Sequence, residues 1–155
     1  MDRRLYSGYI STQPSIPTHQ HQAKENAMPL ARISLPAGRS AEYKKALADG
    51  VLRALVDTFN VPPDDQFMVL TEHAAEDLIY HRSYLGIERS DGFVMIQLTV
   101  SNTRPLEKKR ALYRRIVELL ADKPGVRKED VFINLVEVLP ENWSFGNGEA
   151  QYVPE

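Results

Sequence analysis

The feature that most constrains this chain is that it repeats itself at an offset of 65 residues. Val61–Phe67 (VPPDDQF) returns as Val126–Phe132 (VRKEDVF), which sets Asp65 over Asp130. The same shift carries the alternating apolar residues Ala31, Ile33 and Leu35 onto Ile96, Leu98 and Val100. It carries the wider-spaced Leu47, Val51 and Leu55 onto Leu112, Ile116 and Leu120, and Arg39 onto Arg104. Apolar residues at a period of two mark a half-buried strand, and a period near four marks a helix that buries one stripe. Each half therefore reads strand, helix, strand. Two such units predict an α/β (α+β) fold, a tandem β-α-β repeat whose four-stranded sheet carries both helices on one face.

Local signals place the boundaries. Ser40 is a good N-cap for a first helix running to about Asn60, where Val61, Pro62 and Pro63 stop it. Pro105 opens a second helix that ends near Asp122, ahead of the Pro124-Gly125 break. The repeats span about 29–73 and 93–137 within a domain of residues 28–155, and residues 74–92 join them as a loop or short hairpin. Leu30, Phe93 and Met95 phase onto the sheet face opposite the helices. Apolar residues there call for a cover, and other subunits are expected to supply it. Residues 1–27 are rich in Gln, His, Ser and Pro and too poor in apolar residues to offset chain entropy, so they read as a disordered leader or an artefact outside the domain.

Composition narrows the function classes. With no cysteine the chain has no disulfide, zinc-thiolate site or thiol nucleophile, which fits a cytoplasmic protein. No apolar run is long enough for a membrane span. Lys108, Lys109, Arg110, Arg114 and Arg115 lie opposite the apolar stripe of the second helix, diluted by Glu107 and Glu118, in a chain of net charge −2. That is a solvated helix face rather than a nucleic-acid surface. His19 and His21 of the leader, and His73 and His81, lack ligand spacing, so no metal site is expected. Nor is there a phosphate-cradling glycine loop or a Ser-His-Asp order, and no cofactor is called for.

The residue with unusual chemical potential is Pro29, at the head of the first strand and directly after Met28. A strand-leading proline costs no ladder hydrogen bond. If the chain is processed so that Pro29 comes first, its nitrogen becomes a free secondary amine, able to act as a base or to carry charge near neutral pH. Left internal, the same nitrogen is an amide and does neither.

Three segments in order carry a resemblance: Pro29–Ser40 (PLARISLPAGRS), Phe59–Asp65 (FNVPPDD) and Trp143–Gly148 (WSFGNG). The first resembles the opening of the tautomerase superfamily, whose members use an amino-terminal proline. The other two are similar to its malonate semialdehyde decarboxylase branch, a homotrimer of fused repeats. The resemblance implies that Pro29 is the acid-base group, that Asp65 works beside it, and that Arg104 clamps a substrate carboxylate. It further implies substrate binding by Arg39 and by an apolar wall made by Trp143 and Phe145. Where that branch has a second arginine, this chain has Leu106. The expectation is a cofactor-independent tautomerase of small 2-oxo acids, a homotrimer by the same resemblance, with malonate semialdehyde-type decarboxylation as the alternative. A catalytically silent oligomeric domain is the outcome if Pro29 stays internal.

Overall fold

The computed structural model describes residues 29–153, and the expected leader lies outside them. Its regular elements are β1 (Leu30–Pro36), α1 (Ala41–Phe59), β2 (Phe67–His73), β3 (Val94–Ser101), α2 (Leu106–Asp122) and β4 (Val131–Val138). They form the expected four-stranded sheet, in the order β2-β1-β3-β4. β1 is parallel to β2 and β3 to β4, while the two central strands, β1 and β3, run antiparallel. The repeat survives in the register: Leu30 pairs with Phe67 as Met95 pairs with Phe132, each partner displaced by the same 65 residues (95 − 30 = 132 − 67).

Both helices bury their stripes on one side of this sheet. Leu47, Val51 and Leu55 of α1 and Leu112, Ile116 and Leu120 of α2 are all fully buried, in one core with Ala31, Ile33, Leu35, Ile96, Leu98 and Val100. Each large side chain so buried contributes about 1.5–3 kcal/mol, enough to fix the strand phase, because a one-residue slip would turn the whole set to solvent. Ser40 caps α1 by accepting the Tyr43 N–H at 3.1 Å. At the other end Asn60, in the left-handed region at φ 55°, ends the helix two residues before Pro62. α1 and α2 cross closely at Gly50, where an added Cβ would stand 2.8 Å from Leu120 Cδ2.

The opposite sheet face differs from expectation in one respect. Phe93 is buried within its own chain, because the ring of Tyr80 from the connecting segment stacks on it at 4.1 Å and the Tyr80 hydroxyl is held by the Ser90 carbonyl at 2.7 Å. That segment is a run of turns with one 3-10 turn, Tyr84–Gly86, and not a hairpin. Leu30 and Met95 are half-buried, and the apolar exposure on this face falls instead on the edge strands, at Phe67, Val69, Phe132 and Val136. Among the described residues no helix is long and apolar enough to cross a membrane.

The close crossing at Gly50 gives a test of the packing. Gly50→Val should lower unfolding stability by about 2 kcal/mol in urea denaturation, since the added methyls meet Leu120 in a filled interface.

Candidate active site

The strand register decides which residues can meet. Because Leu30 pairs with Phe67, Pro29 and Asp65 enter their parallel strands at the same end of the sheet. Leu30 also pairs with Thr99 across the antiparallel seam, so β3 runs out at that end, and Arg104 follows just beyond it. Pro29 is buried, Asp65 is 8% exposed and Arg104 is 7% exposed. A small cavity of about 220 Å³ opens beside them, lined by Pro29, Leu30, Phe67, Trp143, Ser144 and Phe145. The chain thus gathers Pro29, Asp65, Arg104, Trp143 and Phe145 at one sheet end. Arg39 is not among them. It follows β1 at the other end, where its guanidinium lies over the Tyr43 ring at 5.1 Å and its backbone N–H is held by Glu72.

Asp65 and its repeat mate Asp130 occupy the same position and meet opposite fates. Asp130 is 1% exposed, and its two oxygens accept from the Ser90 N–H at 2.6 Å and the Ser90 hydroxyl at 2.5 Å, with Arg127 3.7 Å away. Asp65 Oδ1 is buried and has no hydrogen-bond partner among the described residues. Burial, with a smaller push from the negative charge of Asp64, raises the Asp65 carboxyl from 3.8 to about 6. A buried carboxylate left without donors is costly, so a fold that keeps one commonly does so for its chemistry.

Arg104 is held firmly. One terminal nitrogen donates to the Phe59 carbonyl at 2.8 Å, the other to the Thr103 hydroxyl, and the guanidinium sits 5.1 Å from the Phe59 ring centre. This leaves its buried Nε–H without a partner among the described residues. Leu106, at the start of α2, is 53% exposed and brings no charge. The aromatic wall is continuous: Trp143 stacks on Phe145 at 5.6 Å, and Phe145 reaches Phe67 at 6.3 Å.

Some members of this cluster are invisible to periodicity and motif reading. Ser101, at the end of β3, is 2% exposed, and its hydroxyl has no partner among the described residues. Tyr152 packs edge-on against Phe145 at 4.9 Å, and its phenol is raised by burial and further by the charge of Asp65. Irregular backbone around Tyr152 leaves no repeat to find; only its aromatic character next to the Trp143–Gly148 segment hints at it. Cavity size alone would mislead. A depression of about 430 Å³ between the helices is lined by charged side chains such as Lys45, Asp49 and Arg53, and one of about 580 Å³ lies at the far ends of β1 and β2. Neither contains a carboxyl raised as Asp65 is.

Comparison with known proteins identifies the family. Two family models, each described as tautomerase enzyme, match residues 65–146 and 29–87. The chain belongs to the tautomerase family. It is 40% identical over 126 residues to the probable tautomerase YusQ of Bacillus subtilis (strain 168), which covers 81% of this chain and 99% of that protein. Among tautomerase structures, it resembles FG41 malonate semialdehyde decarboxylase inhibited by 3-bromopropiolate, with a TM-score of 0.75 and 41% identity over 79% of this chain and 93% of that one. A fused 4-OT symmetric trimer shares the fold at a TM-score of 0.65, with 21% identity over 77% of this chain and 94% of that one. No cluster of three or more His, Asp or Glu side chains suited to a metal occurs among the described residues of this tautomerase.

The two aspartates should respond oppositely to substitution. For Asp65 the folded value lies above the ordinary 3.8, so ionisation opposes folding: the penalty is absent below that value, grows as pH rises, and is complete above about 6. Asp65→Asn should therefore stabilise the protein by about 1–2 kcal/mol at pH 8 and by almost nothing at pH 3.5. Asp130→Ala, which strips Ser90 of both acceptors, should cost about 3 kcal/mol at pH 7. Thermal unfolding of both variants across that range is the measurement.

Proposed function

We propose that this protein is a cofactor-independent tautomerase of small 2-oxo acids in which Pro29, freed as the amino-terminal residue, is the acid-base group. The observation that carries the reading is the entry of Pro29 and the donor-poor Asp65 side by side into one sheet end, beneath an aromatic wall. The family match that begins at Pro29 supports a functional start there. Pro29 nitrogen uses its lone pair to take the proton from the carbon beside the carbonyl, the electrons of that C–H bond move onto the carbonyl oxygen, and the proton returns at the other end of the conjugated system. Arg104 anchors the substrate carboxylate through the N–H groups that Phe59 and Thr103 leave free. Trp143 and Phe145 exclude water from the reacting carbon.

Decarboxylation is the second reading, favoured by the 41% identity to a malonate semialdehyde decarboxylase. It asks for a departing carboxylate held and twisted while charge flows into the carbonyl, and with Leu106 the chain offers one arginine for that at this end. Arg39 can reach a Pro29 site only from another copy. A homotrimer would place it there and would cover Phe67, Val69, Phe132 and Val136 on the open sheet face.

Intact mass of natively expressed protein should show a chain starting at Pro29. Full activity in a chain that keeps residues 1–28 would remove Pro29 from the mechanism. On a 2-hydroxy-2,4-dienoate or an aryl-pyruvate enol, Pro29→Ala should lower kcat by about 10²–10⁴ with little change in KM. Arg104→Ala should mainly raise KM, and malonate semialdehyde should be decarboxylated more slowly than the enols are ketonised. Rapid decarboxylation that persists in Arg39→Ala would reverse the order of the two readings. Light scattering should give three times the chain mass, and a stable monomer at micromolar concentration would leave the open face unexplained.

A further inference from the structure

Four buried side-chain atoms at the Pro29 end of the sheet have no hydrogen-bond partner among the described residues: Asp65 Oδ1, Ser101 Oγ, Arg104 Nε and Trp143 Nε1. They fall into two kinds. Arg104 and Trp143 offer N–H donors, which suit the oxygens of a 2-oxo acid. Asp65 and Ser101 present oxygens that call for donors, and a 2-oxo acid in its ionised keto form has none to give. A buried hydroxyl left unpaired is costly, so the use of Ser101 lies elsewhere.

Leu30 pairs with Phe67 on one side and with Thr99 on the other, so counting two residues outward sets Asp65 and Ser101 to either side of the backbone just ahead of Pro29. Leu98 and Val100 bury in the helix-side core, so alternation gives Ser101 the other face, shared with Leu30 and Phe67, where the aromatic cavity opens. In a chain that continues through Pro29 its nitrogen is an amide and carries no hydrogen. Freed and protonated, it carries two. The second unit lacks this serine: Ser101 falls 65 residues after Pro36 (101 − 65 = 36), and at that end Asp130 draws its donors from Ser90.

We propose that Ser101 is the positioning residue of the freed Pro29 amine, its hydroxyl oxygen accepting one N–H so that the other position, on the Asp65 side, is the one that exchanges a proton with substrate. The inference rests on the reading of Pro29 as the amino-terminal acid-base group. The bond to Ser101 persists in both states of the amine, since the neutral form keeps one N–H, and it fixes where the lone pair points. The titratable and charged groups from the elements packed at this end are Asp64 and Asp65 ahead of β2, Arg104 after β3, Tyr152 of the C-terminal segment, and Glu137 of β4, which is paired to Lys109. Asp64 and Asp65 favour a charged amine and Arg104 opposes it, and all are unchanged when Ser101 is replaced.

The test is the Pro29 amine titration, followed by nitrogen NMR in protein made with isotopically labelled proline. The chain is expressed from Met28, whose removal leaves Pro29 first; it holds every residue of the core, and the 126 residues matched to YusQ are 99% of that protein's length. A charge-assisted hydrogen bond is about twice as strong as a neutral one, so Ser101 favours the ammonium. Ser101→Ala should therefore lower the amine's pKa by about half to one unit, a three- to tenfold change in ionisation constant. The limb of kcat/KM that rises with pH as the amine becomes a base should move down with it. Ser101→Thr, which keeps the hydroxyl, should titrate as the wild type does. Identical titrations in the wild type and Ser101→Ala would overturn the proposal, and so would an equal shift in Ser101→Thr, which only a packing change would produce. If Pro29→Ala matches the wild type in activity, the reading of the site fails, while the amine titration still decides the role of Ser101.

Discussion

The antiparallel seam between β1 and β3 is the constraint from which the rest of this molecule follows. Each β-α-β unit alone exposes both strand edges and an apolar sheet face, and the seam pairs the inner edges, joining the two units into a sheet wide enough for both helices to cover. Because the joined strands run oppositely, the end of one unit lies beside the beginning of the other. Arg104, which belongs to the second repeat, is thereby brought to the sheet end at which Pro29 and Asp65 of the first enter, and Arg39 of the first repeat to the end of Asp130 of the second. A parallel seam would have kept each arginine away from the other unit's aspartate.

The two quasi-equivalent ends then show how one backbone position supports two uses. Asp130 is surrounded by donors, and the same groups that satisfy it tie the connecting segment to the sheet. Asp65 has kept the depth of burial and lacks those donors, so its proton is held more tightly than an ordinary carboxyl holds one. The tethering carboxylate adds rigidity. The isolated one reduces stability in exchange for a proton that moves near neutral pH, the division between scaffold and site expected where a fold carries chemistry.

Much of the fold was legible in the sequence because duplication states the pattern twice. The offset that aligned Ala31 with Ile96 and Leu47 with Leu112 reappears as one register in the sheet and one stripe on each helix. The cap at Ser40 follows from local chemistry and was equally readable. Phe93 was not, since its cover comes from Tyr80 in a segment with no period, and side-chain stacking between irregular backbone and a strand end leaves no mark on spacing. The same reason hides Tyr152. As for the site, Asp65 and Arg104 stood out as a repeated pair, but their different surroundings depend on Ser90, Phe59 and Thr103, residues of ordinary appearance whose meaning is set by three-dimensional contact.

The Ser90 clamp on Asp130 reaches further than the two residues it joins. The carbonyl of the same serine accepts the Tyr80 hydroxyl, so the carboxylate, the connecting segment and the ring that covers Phe93 form one chain of contacts. A single buried charge thereby anchors a stretch that has no ladder of its own, and loosening it would uncover an aromatic side chain some distance away.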